Sequence, residues 1–130
     1  MSTRAQIRFA TREEGVSFNE HPEKIHAQFY VHSDGYPEGL GLDIAMSYAD
    51  QEIISGWEIE HVQVMHGDLD YIYYIWQTPS KTTWISIFKL IPFEDQVGKC
   101  IFVGEPQKLI TKYGSQLDDS YYKLNTNDDG

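Results

Sequence analysis

Hydrophobic and polar residues alternate from Ala5 to Ala10, with Ala5, Ile7 and Phe9 on one side and Gln6 and Arg8 on the other. A period of two predicts a half-buried strand. Thr11–Gly15 reads as a turn, and Val16–Phe18 as a short returning strand ended by Asn19-Glu20-His21-Pro22. The clearest strand is Ile25–Ser33. Ile25, Ala27, Phe29 and Val31 make its apolar face, and His26, Gln28, Tyr30 and His32 its polar face. From Leu40 to about Ile54 the period changes to that of a helix, with Leu42, Ala45, Met46, Ala49 and Ile53 as its stripe. Trp57–Met65 predicts a strand whose phase slips near Glu60-His61, as a bulge would cause. Tyr71–Gln77 and Thr83–Ile91 are apolar on both faces, which predicts a central hairpin covered on both sides. Lys99–Val103 adds a strand. Pro106 opens a second helix, with Gly114 beyond its end.

This order predicts an α+β fold: a mostly antiparallel sheet of five to six strands, with two helices on one face. Residues 1–114 form the single domain, and residues 115–130 a polar, partly disordered tail. The aromatic content, nine Tyr, six Phe and three Trp, supports a packed core.

Charge sharpens the picture. The net charge is -10, and Glu13 to Asp70 holds thirteen acids against one base, Lys24. Such a field repels nucleic acid and anionic membranes, so neither is expected as a direct partner. It suits a basic protein. Glu13, Glu14, Glu20 and Glu23 are the expected acidic interaction surface. Cys100 stands alone in an apolar run and reads as a buried small hydrophobe. With no intramolecular disulfide, signal-like segment or apolar run of membrane length, the expected address is the cytoplasm.

Candidate chemistry centres on Tyr30-Val31-His32-Ser33-Asp34-Gly35-Tyr36-Pro37-Glu38-Gly39. Tyr30, His32 and Asp34 share a side if the strand persists, and a carboxylate beside an imidazole is half of an acid/base device. The other reading gives Asp34 to the turn and leaves His32 on the wet face, with Gly35 supplying a positive φ. Tyr30, His32, Asp34, Tyr36 and Arg8 are the candidate binding residues, and His32 and Asp34 the candidate catalytic ones. No nucleophile accompanies them. The spacing of His61, His66 and Asp68 is too loose for a zinc motif. Gly39-Leu40-Gly41 lacks the rest of a nucleotide loop. No metal or cofactor is expected.

The opening Met1-Ser2-Thr3-Arg4 and the run Tyr30-x-His32-x-Asp34-Gly35-Tyr36-Pro37 together resemble a group of small uncharacterised bacteriophage and bacterial proteins. Asp68-Leu69-Asp70-Tyr71 is a weaker match. The resemblance implies a small accessory protein of a phage or mobile element, or its bacterial relative, and does not imply an enzyme. The first expectation is therefore a non-enzymatic acidic protein that binds a host protein, for example a nucleic-acid-binding defence protein inhibited by charge mimicry. The alternative is a small enzyme or ligand-binding domain centred on His32 and Asp34.

Overall fold

A computed structural model describes residues 3–12, 20–22, 24–50, 58–78 and 82–114, without the side chains of 47–50. The returning strand at 16–18, the side chains of Glu13, Glu14 and Glu23, the helix end at 51–54 and the tail at 115–130 lie outside the described residues.

Six strands form one sheet: β1 (Ala5–Thr11), β2 (Lys24–Val31), β3 (Glu58–Glu60), β4 (Tyr71–Gln77), β5 (Thr83–Ile91) and β6 (Asp95–Gly104). The helices are α1 (Leu42–Asp50) and α2 (Pro106–Gly114). The strand order is β3-β2-β1-β4-β5-β6. All neighbours are antiparallel except β1 and β4, which run parallel. The sheet is thus two antiparallel three-stranded units joined by one parallel seam. The α+β expectation holds.

One face carries the helices. Leu40, Ile44, Ala45, Leu109 and Tyr113 close with Ala5, Ile7, Tyr73, Ile75, Ile85 and Ile87 into a core. The other face buries a second cluster of Tyr30, Leu69, Ile72, Tyr74, Trp76, Phe88 and Leu90. β4 and β5 are covered on both faces, as their continuous apolar runs require.

The expected wet face of β1 is not wet. Gln6 and Gln28 are fully buried. β1 is a central strand, and the 61–70 segment lies over it through side-chain bonds to its backbone.

Four further departures have local causes. α1 begins in a π-helical turn, Pro37–Gly41, in which Leu42 N–H reaches back to Pro37 O. The wider turn rotates the helix phase, so Leu40 and Ile44 are buried and Met46 is exposed. The strand expected over 57–65 is only Glu58–Glu60, because Val64 N–H turns back to His61 O. β6 starts four residues earlier than its apolar run suggests, since Gly98, with φ 74°, masks the alternation. Gly114 is the last residue of α2 rather than the one after it.

The Asp-Gly-Tyr-Pro run builds the entry to α1. Asp34, not Gly35, takes the left-handed conformation, with φ 58°. Asp tolerates this better than most side chains because its short polar group can bond locally. Gly35 is needed for proximity: a Cβ there would sit 2.7 Å from Ala5 Cβ and 3.0 Å from Thr3 O. Its N–H donates to Thr3 O, and the buried Tyr73 hydroxyl donates to Gly35 O at 2.6 Å. Pro37 then supplies the first helical residue, where its missing N–H costs nothing.

Candidate functional site

Among the described residues, three places have chemistry beyond packing. The first is a polar network on the face opposite the helices. Its centre is Tyr30. The phenol donates to Asp68 Oδ2 at 2.9 Å, and Arg4 Nε lies 3.2 Å from the same oxygen. Arg4 N–H also bonds Asp70 Oδ2, and Asp70 N–H returns to Arg4 O. The Tyr30 ring stacks on His66 at 4.0 Å and meets His32 edge-on at 4.6 Å. Burial, followed by the bond and charge of Asp68, pushes the Tyr30 hydroxyl up to about 12. It is a fixed donor rather than a base.

Beside it lies Glu60. Oε2 accepts from Gln28 at 2.6 Å and Gln6 at 3.0 Å, and Oε1 faces His66 Nε2 at 2.7 Å. Burial alone would raise this carboxyl. The bonds from His66, Gln28 and Gln6 outweigh it and hold the group below the usual glutamate range.

The network continues through Arg8, which donates to Gln28 Oε1 and to the Tyr74 hydroxyl. His21 stacks on Phe88 at 3.9 Å, with Nε2 against Val97 O and Nδ1 against Tyr74 OH. A carbonyl can only accept, so Nε2 carries the proton and Nδ1 accepts from Tyr74. The chain Arg8→Tyr74→His21→Val97 therefore fixes one neutral tautomer. Burial, which lowers the imidazole's affinity for a second proton, agrees.

Apart from Gln6 Oε1, which is buried without a hydrogen-bond partner, the polar groups at the centre of this network are paired with one another. Each charged group at its centre has its partner inside the fold, and the result is to clamp the 61–70 segment and His21 onto the sheet. The candidate residues divide accordingly. Tyr30 and Arg8 belong to the network. His32 is exposed and pairs with Glu58 across the sheet edge. Asp34 is exposed and uses its backbone oxygen to accept from Leu40 N–H. Among the described residues no bond joins His32 to Asp34. Tyr36 stands exposed at the start of the π-helical turn. Glu20 is exposed.

Like charges gather near that turn. Burial and the neighbouring Asp34 raise the Asp43 carboxyl above its ordinary value. His61 is exposed and accepts from Gln63 N–H. Among the described residues no group of three or more His, Cys, Asp or Glu side chains is arranged to hold a metal ion. Cys100 is half-buried, its thiol pushed up by burial and bonded to Phe102 O. Few thiolates form there at neutral pH, which disfavours nucleophilic use.

The second place is the tip of the β5–β6 hairpin, which sequence reasoning missed. Phe93 is 81% exposed and Met65, on the adjoining loop, 88%. Ile91 and Val97 are also exposed. Phe93 has φ 64°, a left-handed conformation. Its N–H donates to Gly67 O at 2.7 Å, which ties the tip to the 61–70 segment, and Glu94 N–H closes the turn on Ile91 O. Pro92 at the second position and a positive φ at the third are the marks of a type II turn. Pro92 was the available sequence signal, but the third position of such a turn usually holds Gly. Glu94 and Asp95, the next two residues, are exposed, and Asp95 Oδ1 accepts from the N–H groups of Val97 and Gly98.

The third place is a cavity of about 580 Å³ at the carboxyl ends of β1 and β4. Phe9, Ala10, Arg12, His26, Trp76 and Thr83 are among its walls.

Among the described residues no helix is long and apolar enough to cross a membrane. Comparison with protein-family models, with curated proteins and with solved structures returns no match to this chain.

Proposed function

We propose that this chain is a non-enzymatic, acidic interaction protein that binds a basic partner protein, with Phe93 as its anchor. The observation that carries the reading is the state of Phe93. A left-handed backbone costs a residue with a Cβ about 1–2 kcal/mol. The ring offsets little of this by burial, since it is 81% exposed. A costly conformation that presents an apolar ring to water has its use in a contact outside the chain. Aromatic anchors of this kind dominate protein interfaces.

The surrounding charge supports a basic partner. Glu94 and Asp95 follow Phe93 in the chain and are exposed, and the chain carries a net charge of -10. Such a field speeds encounter with a positive surface more than it slows release. The resemblance to phage and mobile-element proteins makes a host protein the natural target. A nucleic-acid-binding defence protein is the concrete form of the proposal, because its groove already presents Lys and Arg to phosphates. The alternative centred on His32 and Asp34 draws less support, since His32 is engaged by Glu58 and Asp34 serves the loop.

The test is affinity purification from host or phage-infected cells, followed by binding kinetics with the recovered partner. Phe93→Gly should raise the off-rate at least about tenfold, the scale of a lost aromatic anchor. Charge reversal at Glu13, Glu14, Glu20 and Glu23 should lower the on-rate and flatten its salt dependence. Nucleic acid should compete. Recovery of only neutral or acidic partners, or a Phe93→Gly protein that binds normally, refutes the proposal.

A further inference from the structure

The turn into α1 carries a chemical liability that its own geometry requires. Asp34 is exposed, and its φ is 58°. Apart from glycine, Asp and Asn take this left-handed conformation at the least cost. Gly35 follows because nothing larger fits: a Cβ there would stand 2.7 Å from Ala5 Cβ. Backbone conformation and packing thus each select one member of an Asp-Gly pair. In such a pair the Gly amide nitrogen can attack the Asp side-chain carboxyl and close a five-membered ring. The missing Cβ on Gly leaves that approach unhindered.

In the folded chain the attacking nitrogen is held. Gly35 is buried, and its N–H donates to Thr3 O at 3.0 Å. Asp34 O accepts from Leu40 N–H at 3.0 Å. Both polar atoms of the peptide that joins Asp34 to Gly35 are therefore bonded, one to each side of the turn. The next carbonyl, Gly35 O, accepts from the fully buried Tyr73 hydroxyl at 2.6 Å. Ring closure needs the nitrogen to swing toward Asp34 Cγ, and that movement breaks the bond to Thr3 O. The carboxyl side of the pair, by contrast, stands open to water.

We propose that Asp34-Gly35 is a covalent modification site gated by the docking of residues 3–5 on this turn. It is closed while Thr3 O holds Gly35 N–H, and it converts to a β-linked aspartate when that contact opens. The step needs no co-reactant but water. Gly35 N bonds to Asp34 Cγ, its proton and the carboxyl OH leave together as water, and a succinimide forms. Water then adds at the main-chain carbonyl carbon of Asp34, and the bond from that carbon to Gly35 N breaks. The chain now runs through Asp34 Cβ and Cγ, with the former main-chain carbonyl as a free carboxylate. No electron is transferred, and the mass returns to its starting value. The new link is one carbon longer than the old one. The turn has no room for it: even a Cβ on Gly39 would stand 2.8 Å from Asp34 O. A single opening is thus recorded irreversibly, because the modified chain does not reclose on Thr3 and Ala5. The assignment does not rest on the Phe93 tip.

Ageing of the full chain at neutral pH tests the assignment, followed by peptide mapping with fragmentation that separates α-linked from β-linked aspartate. A synthetic peptide of residues 30–40 supplies the rate without the fold. The folded chain should isomerise at Asp34 at least about tenfold more slowly than the peptide, because the reactive unit is open in only a minor fraction of molecules. Tyr73→Phe, which removes the buried donor to Gly35 O, should raise the folded-chain rate at least about threefold. Urea below the unfolding transition should raise it in the unchanged sequence, so the test does not depend on how well the variant folds. The β-linked fraction, separated by chromatography, should lose slow amide exchange at Gly35 and Leu40. Three results overturn the proposal: a folded chain that reacts as fast as the peptide, a rate unmoved by Tyr73→Phe or by urea, or a β-linked chain in which Gly35 and Leu40 stay protected.

Discussion

Replacing Phe93 by Gly and by Ala separates the strain at that position from the ring it carries. Both variants delete the side chain. Both lose the same small burial, because Phe93 is 81% exposed. Both keep the backbone bonds from residue 93 to Gly67 and from Glu94 to Ile91. Only Gly escapes the penalty that a Cβ imposes at φ 64°. That penalty is about 1–2 kcal/mol, against which Gly gives back about 0.5–1 kcal/mol of extra freedom in the unfolded chain. The Gly variant should therefore be the more stable by about 0.5–1 kcal/mol, the reverse of the usual order of Ala over Gly. For a chain of this size the difference is about 2–4 °C in Tm, within reach of calorimetry or urea titration. Partner affinity should fall equally in both, because affinity reads the ring and stability reads the backbone. If the Gly variant melts below the Ala variant, position 93 carries no left-handed strain. The argument that the ring is held out for a partner then fails.

Other expectations can be checked alongside. Gly35→Ala should lower Tm by several degrees, a loss of about 1–3 kcal/mol, because the new Cβ would press on Ala5 Cβ and Thr3 O. Tyr73→Phe should cost about 1–2 kcal/mol in urea unfolding by leaving Gly35 O without its buried donor. Glu60 has its carboxyl held below the ordinary range in the folded state, so its contribution is fully present above the unfolded value near 4.5 and is lost as pH falls through the lower folded value. Glu60→Gln should flatten the pH dependence of stability in that acid window, and an unchanged acid-unfolding profile would count against the Gln6–Gln28–His66 cage.

What could be read from the chain, and what could not, divides along physical lines. β4 and β5 are legible because strands covered on both faces are apolar throughout and need no phase. The Asp34–Gly39 run is legible as a turn because each residue answers a local demand. The same locality misassigned the left-handed residue, since Gly35 is fixed by a contact with Ala5 from a distant strand. Gln6 and Gln28 read as solvent-facing, and it is Glu60, Arg8 and the carbonyls of His61 and Val64 that partner their buried amides. Val62 and Val64 read as strand. The backbone there bonds to glutamine side chains instead of a ladder, and that choice is made by residues thirty or more positions away. Phe93 read as nothing in particular, because aromatic residues are expected inside and a backbone dihedral leaves little trace in composition. The cavity at the carboxyl ends of β1 and β4 depends on which strands are parallel, which no local pattern specifies.

The parallel seam also orders events in time. β1 is made before the other strands of this sheet and meets β2 soon after, but its other neighbour is sixty-six residues downstream, the spacing of Arg4 and Asp70. Until β4 arrives, one whole edge of β1 stays unpaired. β4, β5 and β6 follow one another as a meander and can assemble from local contacts. Closure of the seam is the long-range step, and the one that pays the largest loop entropy. Thr3, Arg4 and Ala5, which receive Gly35 and Asp70, are where that long-range closure is made: the first strand of the sheet is completed by a segment sixty-six residues further on.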